Sequence, residues 1–188
     1  MNYLLAKAIS DAIESDMATL VETVVTAGEI RRELGEISKI SIVCIPNKVE
    51  PAPTLSTDYA GEVVDPEFIA YVKSLGRQVS GSVTGRRVGI VIPELIEVDI
   101  FMPQPADFYR ILALQTGSND YCNNVIGPAW EALGWCDTEH GLRKIVDCRY
   151  SGYRYKWVNT AGDVPTAWAS EESFFEWLEV DYVAPNER

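Results

Sequence analysis

The stretch AGEIRRELGEISKISIVCIP, Ala27 to Pro46, decides how this chain is read. It carries Gly28 and the adjacent arginines Arg31 and Arg32, then enters ISIVCI, Ile40 to Ile45, a nearly continuous apolar run closed by Pro46 and Asn47. A short apolar run bounded by turn residues predicts a buried strand. Lys39 and Ser41 stand two positions apart at its start, so they share one face of that strand. A glycine followed by two guanidinium groups suits a phosphate, because the planar fork of arginine matches phosphate geometry. Pairing of Arg31 and Arg32 with Glu29, Glu33 or Glu36 on the same turn is the competing reading.

Upstream, Leu4, Leu5, Ala8, Ile9, Ala12, Ile13, Met17, Leu20, Val21 and Val24 recur at three- and four-residue steps, which predicts one amphipathic helix from Tyr3 to about Val25. Downstream, Asn47 to Tyr59 is a Pro-, Thr- and Ser-rich loop. DPEFIAYVKSLG, Asp65 to Gly76, has an Asp cap, Pro at the first helical position and a Gly stop. GRRVGIVIP and LIEVDIFMP read as two strands of a hairpin turning at Pro93 and Glu94, with Asp99 in mid-strand between apolar neighbours. PADFYRILALQTG, Pro105 to Gly117, returns to helical spacing, and NNVIGPAWEALGW gives another helix, interrupted or started near Gly127 and Pro128. Short aromatic strands follow Gly141, and SEESFFEWLEV is a last helix capped by Ser170. This order predicts an α+β chain in two lobes, 1–117 and 118–188.

With 188 residues, 47% of them hydrophobic, the chain can bury one sizeable core or two small ones. A formal net charge of -12 opposes nucleic acid at long range, since such binding is driven by lysine and arginine releasing counterions. Cys44, Cys122, Cys136 and Cys148 contain no CxxC pair, and no secretory leader opens the sequence, which predicts a reducing, cytoplasmic setting. No uncharged run approaches a membrane span. Cys122, Cys136 and Cys148 with His140 match no common zinc spacing, so buried or idle thiols are the expectation.

Gly28, Arg31 and Arg32 followed by Ile40 to Val43 resemble the GSxRRG…DxDxx signature of family X DNA polymerases and the wider polymerase-β-like nucleotidyltransferases. VDIFMP and FYRILALQTGS resemble that family's third-carboxylate strand and the helix ending in TGS that joins palm to thumb. SEESFFEWLEVDYVAPNER resembles its closing segment. No counterpart of the lyase or fingers domain is visible, and the chain resembles small phage-type palm-thumb proteins. The resemblance implies a palm-like nucleotidyltransferase sheet with flanking helices and a small thumb-like α/β lobe. It also implies phosphate contacts at Gly28, Arg31, Arg32, Thr116, Gly117 and Ser118.

The chemistry of that family is two-metal phosphoryl transfer, with three carboxylates holding two magnesium ions. Aligned on the double arginine, the first two carboxylate positions fall on Lys39 and Ser41, and only Asp99 keeps its acid. One carboxylate cannot organise two hard dications, and an ammonium repels Mg²⁺ and suits an ion pair with Asp99 instead. Glu29 and Glu33 replace the small residues of the phosphate cradle, and Leu114 and Gln115 replace the aromatic pair before TGS.

Three functions stay in view. The first is a degenerate polymerase-X-like protein, without cofactor, that binds weakly to nucleic acid or to a protein partner. The second is an active minimal DNA polymerase or nucleotidyltransferase with an altered Mg²⁺ site, built from Glu97 and Asp99 with help from Glu29. The third is an acidic inhibitor or decoy of a nucleic-acid enzyme, presenting Glu171, Glu172, Glu176, Glu179 and Asp181. For nucleic-acid contact the candidates are Arg143, Lys144, Arg149, Arg154 and Lys156, interleaved with tyrosines and Trp157. An ordinary strand with one packed face is the competing reading of that stretch.

Overall fold

A computed structural model describes residues 1–51, 61–152, 156–158 and 162–188. The chain divides into two compact units, Met1–Gln104 and Pro105–Arg188. The division falls ahead of the Thr116 to Ser118 stretch.

The first unit begins with helix α1 (Tyr3–Met17), capped by Asn2, whose side chain accepts from the backbone N–H of Leu5. The helix does not run on to Val25 as its apolar spacing predicts. Strand β1 (Val21–Ala27) begins instead, and its residues Val21, Thr23, Val24, Val25 and Thr26 are all β-branched. Branching at Cβ restricts side-chain rotamers in a helix and packs well on a pleated sheet. Pairing with a neighbouring strand then decides the outcome.

One short turn, α2 (Gly28–Arg31), leads to β2 (Lys39–Pro46), the strand read from the apolar run. The small ladder of β3 (Lys48–Val49) and β4 (Val63–Val64) precedes α3 (Pro66–Ser74), where Asp65 caps and Pro66 occupies the first turn. Strand β5 (Arg77–Gly81), not expected from the sequence, precedes the hairpin of β6 (Arg87–Val91) and β7 (Glu97–Phe101).

The five strands are ordered β1-β2-β7-β6-β5, with β2 and β7 parallel and the remaining neighbours antiparallel. Ile40, Ile42 and Cys44 of β2, Val88 and Ile90 of β6, and Val98 and Ile100 of β7 join Met17, Phe68 and Val72 in one buried cluster. That cluster occupies one face of the sheet and is roofed by α1 and α3. Alternation along each strand leaves Ser41, Asp99 and Gly89 on the other face.

The second unit opens with a 3-10 turn, Pro105–Asp107, and α4 (Phe108–Thr116). Helix α5 (Asn119–Tyr121) runs through a π turn at Cys122–Ile126 into α6 (Gly127–Ala132). The helical run therefore starts at Asn119, and Gly127 with Pro128 lies inside it. The wider π spacing accommodates a proline whose missing N–H would break a regular α-helix.

Strand β8 (Trp135–Thr138) comes earlier than the expected strands after Gly141. It pairs with β9 (Gly141–Lys144), and β10 (Arg149–Ser151) and β11 (Lys156–Val158) complete a sheet ordered β10-β11-β8-β9. Helix α7 (Glu171–Trp177) starts at a reciprocal cap between Ser170 and Ser173. Its Phe174, Phe175 and Leu178 pack with Ala113, Ile126, Trp130, Trp135 and Leu142 as the core of this unit. Among the described residues, no helix is long and apolar enough to cross a membrane.

Candidate functional site

The register of the first sheet sets its chemistry. Ser41 of β2 lies opposite Asp99 of β7, and Gly89 of β6 lies opposite Asp99 on the other side. Lys39 and Arg87, each two residues from those positions, reach the same carboxylate diagonally. Lys39 Nζ donates to Asp99 Oδ2 at 3.1 Å, and Arg87 donates to Asp99 Oδ1 from Nε at 3.0 Å and from Nη2 at 2.6 Å.

Asp99 is fully buried, while the Lys39 and Arg87 side chains remain 47% and 45% exposed. Burying a carboxylate is tolerable only when it is paired and hydrogen-bonded. Here each oxygen has its own cationic donor. The Arg87 guanidinium also lies 5.6 Å from the centre of the Phe101 ring, which steadies its plane.

Gly89 makes room for this arrangement. A Cβ there would stand 2.4 Å from Ser80 Oγ, 2.8 Å from Glu97 Oε1 and 3.1 Å from Asp99 Oδ1. Glu97 itself is 39% exposed, 4.0 Å from Arg87 Nη2. Among the described residues, no group of three or more His, Cys, Asp or Glu side chains is arranged to hold a metal ion.

Glu29 does not reach toward Glu97 and Asp99; it accepts from the backbone N–H and the hydroxyl of Ser38. Burial alone would push its carboxyl up, but the Ser38 donors, the Lys39 N–H and the Arg32 charge together hold it below the ordinary glutamate value. Gly28 adopts a positive φ of 66° where the chain leaves β1, and its carbonyl accepts from the Arg32 N–H at 3.1 Å. Arg31 follows on the α2 turn, and Arg32 Nε is shielded from water without a hydrogen-bond partner among the described residues.

In the second unit, Thr116 is buried at the end of α4, and Gly117, at φ 74°, closes that helix through its N–H to Ala113 O. Ser118 caps α5, its hydroxyl accepting from the Tyr121 N–H at 3.2 Å. Among the described residues, the basic candidates lie on different strands. Arg143 and Lys144 lie on β9 and Arg149 on β10, at opposite edges of a four-stranded sheet. Lys144 Nζ stands 4.5 Å over the Trp135 ring, and Arg143 Nη1 donates to the Leu142 carbonyl. Lys156 lies on β11 beside β10, and Arg154 is outside the described residues.

Two arginines that sequence reasoning passed over organise this unit. Arg110, 3% exposed, grips Asp107 through Nε and Nη2 at 2.6 and 2.7 Å and Asp137 through Nη1 at 2.9 Å. Arg188 donates to Glu171 at 2.9 Å and to the Val183 carbonyl at 2.7 Å, with Phe175, Tyr182 and Tyr121 rings 4.7, 5.2 and 5.7 Å away. Cys122 lies in the π turn with its thiol 3.5 Å from the Leu114 carbonyl, and the Cys136 thiol stands 3.6 Å from the Arg143 carbonyl.

A family model described as the DNA polymerase beta thumb matches residues 111–188. No curated protein matches the chain at a significant level. Two crystal structures of Leishmania infantum polymerase beta align with all of it. The ternary P/T complex gives a TM-score of 0.66 at 15% identity over 76% of that protein chain. The ternary gap complex gives 0.69 at 16% identity over 70%. The sheet order, the hairpin bearing Asp99 and the matched second unit lead to one structural conclusion: this chain has a polymerase-β-like fold.

Proposed function

We propose that this protein is a polymerase-β-like palm and thumb that has given up two-metal phosphoryl transfer and acts by binding, to nucleic acid or to a protein partner. The observation that carries the reading is the pairing of both Asp99 oxygens with Lys39 and Arg87. In this fold family the corresponding face holds Mg²⁺ ions on three carboxylates. Here the donor set does not fit a pair of hard dications: one acid is already neutralised, and an ammonium and a hydroxyl occupy the other two positions. Fold alone does not carry an activity once the site has changed.

Nucleic acid is favoured as the partner because the similar proteins were solved as P/T and gap complexes. The net charge of -12 implies that such binding is weak and sensitive to salt. The four free cysteines suit a reducing cytoplasm.

Primer extension with Mg²⁺ and with Mn²⁺, run beside fluorescence anisotropy on gapped and primed duplexes, tests the proposal. Absent extension together with salt-sensitive binding supports it. Extension that is lost in Asp99→Ala would install the altered-metal polymerase in its place. No DNA binding at low salt would favour the acidic decoy.

A further inference from the structure

The polar face of the first sheet carries more than the Asp99 cluster. Register places Lys39 beside Glu97, Glu97 beside Val91, and Val91 beside Arg77, in one row across β2, β7, β6 and β5. Alternation puts Arg77 on the face that holds Lys39, Arg87, Glu97 and Asp99, and Arg77 is exposed on the edge strand. These five are the charged residues among the paired positions of the four strands, and all of them share this face, because the opposite one is the apolar core. Three cations stand there against two acids, in a chain whose net charge is -12.

The cations on Asp99 have donors to spare. Lys39 uses one of its ammonium hydrogens on Oδ2, and Arg87 uses Nε and Nη2 on Oδ1, which leaves the Nη1 hydrogens for another acceptor. Both side chains keep nearly half of their surface open to solvent, whereas Asp99 is sealed beneath them. Asp99 thus acts as an anchor that holds two cationic ends beside each other, and a ligand meeting them has less ordering cost to overcome. Lys39 and Arg77 start three strands apart, about 14 Å at the usual strand spacing. A row of cations that long suits a repeating polyanion better than one small anion, since a nucleic-acid strand presents a charge about every 3.4 Å of its axis.

We infer that this face binds the phosphodiester backbone of a nucleic acid directly through Lys39, Arg77 and Arg87, with no metal ion between them. The inference rests on the nucleic-acid reading above and names the surface that performs it. Glu97, 4.0 Å from Arg87 Nη2, opposes a phosphate and keeps the contact weak. Lysine and arginine contacts to phosphate read no base, so the binding is indifferent to sequence.

Fluorescence anisotropy of a labelled primed duplex, in chelator and across a potassium chloride series, tests this with the full chain. Arg77→Gln is the cleaner variant, because the hydrogen bonds to Asp99 come from Lys39 and Arg87; Lys39→Gln is measured beside it. Each is expected to weaken binding and to flatten the slope of log K against log salt by about 0.9. Glu97→Gln is expected to tighten binding, and an unrelated duplex sequence to bind equally. A wild-type slope in both variants, or binding that appears only with Mg²⁺, would overturn the inference and leave the nucleic-acid reading standing. No binding to either duplex at low salt would overturn both. Displacement by poly-glutamate as effective as by unlabelled duplex would overturn it in favour of an acidic protein segment.

Discussion

Arg87 donates two hydrogen bonds to a single oxygen of Asp99, from the strand that pairs antiparallel with the one carrying the acid. With Lys39 on the second oxygen, the middle of this sheet is held by a charge cluster. Asp99→Asn keeps the size of the side chain and removes its charge. The expected loss is about 2 kcal/mol, below the full cost of breaking a buried pair because Lys39 and Arg87 can turn to water. Urea denaturation of the two proteins measures it, and equal midpoints would show that the cluster does not stabilise the sheet.

Glu29 gives a pH signature. Its carboxyl titrates lower in the folded chain than the ordinary value of 4.5, so its contribution is complete above that value and fades as pH falls through the lowered one. The stability difference between the wild type and Glu29→Gln should therefore shrink steadily below about pH 4.5. Paired denaturation curves from pH 7 to pH 3 check this. A gap that stays constant or widens with acid would contradict the Ser38 hydrogen bonds as its source.

Arg110→Met should strike the second unit hard. It leaves Asp107 and Asp137 without their shared cation, at a cost of about 3 kcal/mol. Asp137→Asn should cost less, because that side chain is half exposed and Asp107 keeps its bidentate grip. Thermal unfolding of the two variants ranks them, and the reverse order would mean that Asp137 is the main partner.

Arg188→Ala removes a guanidinium held by Glu171 and three aromatic rings. The expected cost is again about 3 kcal/mol, with Glu171→Gln recovering part of it by removing the stranded charge. A double-mutant cycle on the pair reads the coupling directly. Additive losses would mean that packing against the rings, not the ion pair, holds the terminus.

Much of this fold is legible in local sequence because local chemistry governs it. Asp65, Pro66 and Gly76 bracket a helix whatever surrounds them, and the turn at Pro93 and Glu94 sets the hairpin register. The Lys39 and Asp99 pair follows from strand alternation once the two strands are placed side by side. Val21 to Ala27 misleads because its apolar residues continue the helical spacing of α1, while pairing with β2, a non-local interaction, decides in favour of strand. Arg87 was within reach: a hairpin centred on Glu94 puts Gly89 opposite Asp99 and Arg87 diagonal to it. The division of Arg143 and Arg149 between opposite sheet edges was not, since residues close in sequence give no hint that two other strands come between them.

The most direct test of the central claim is calorimetric titration with a deoxynucleoside triphosphate in Mg²⁺, in Mn²⁺ and in chelator, with Asp99→Ala alongside. An Asp99 already paired on both oxygens predicts no metal-dependent heat in the wild type and the same trace in the variant. Saturable binding that requires the metal and disappears in Asp99→Ala would contradict the account, because it would mean that Lys39 and Arg87 yield the carboxylate to an ion.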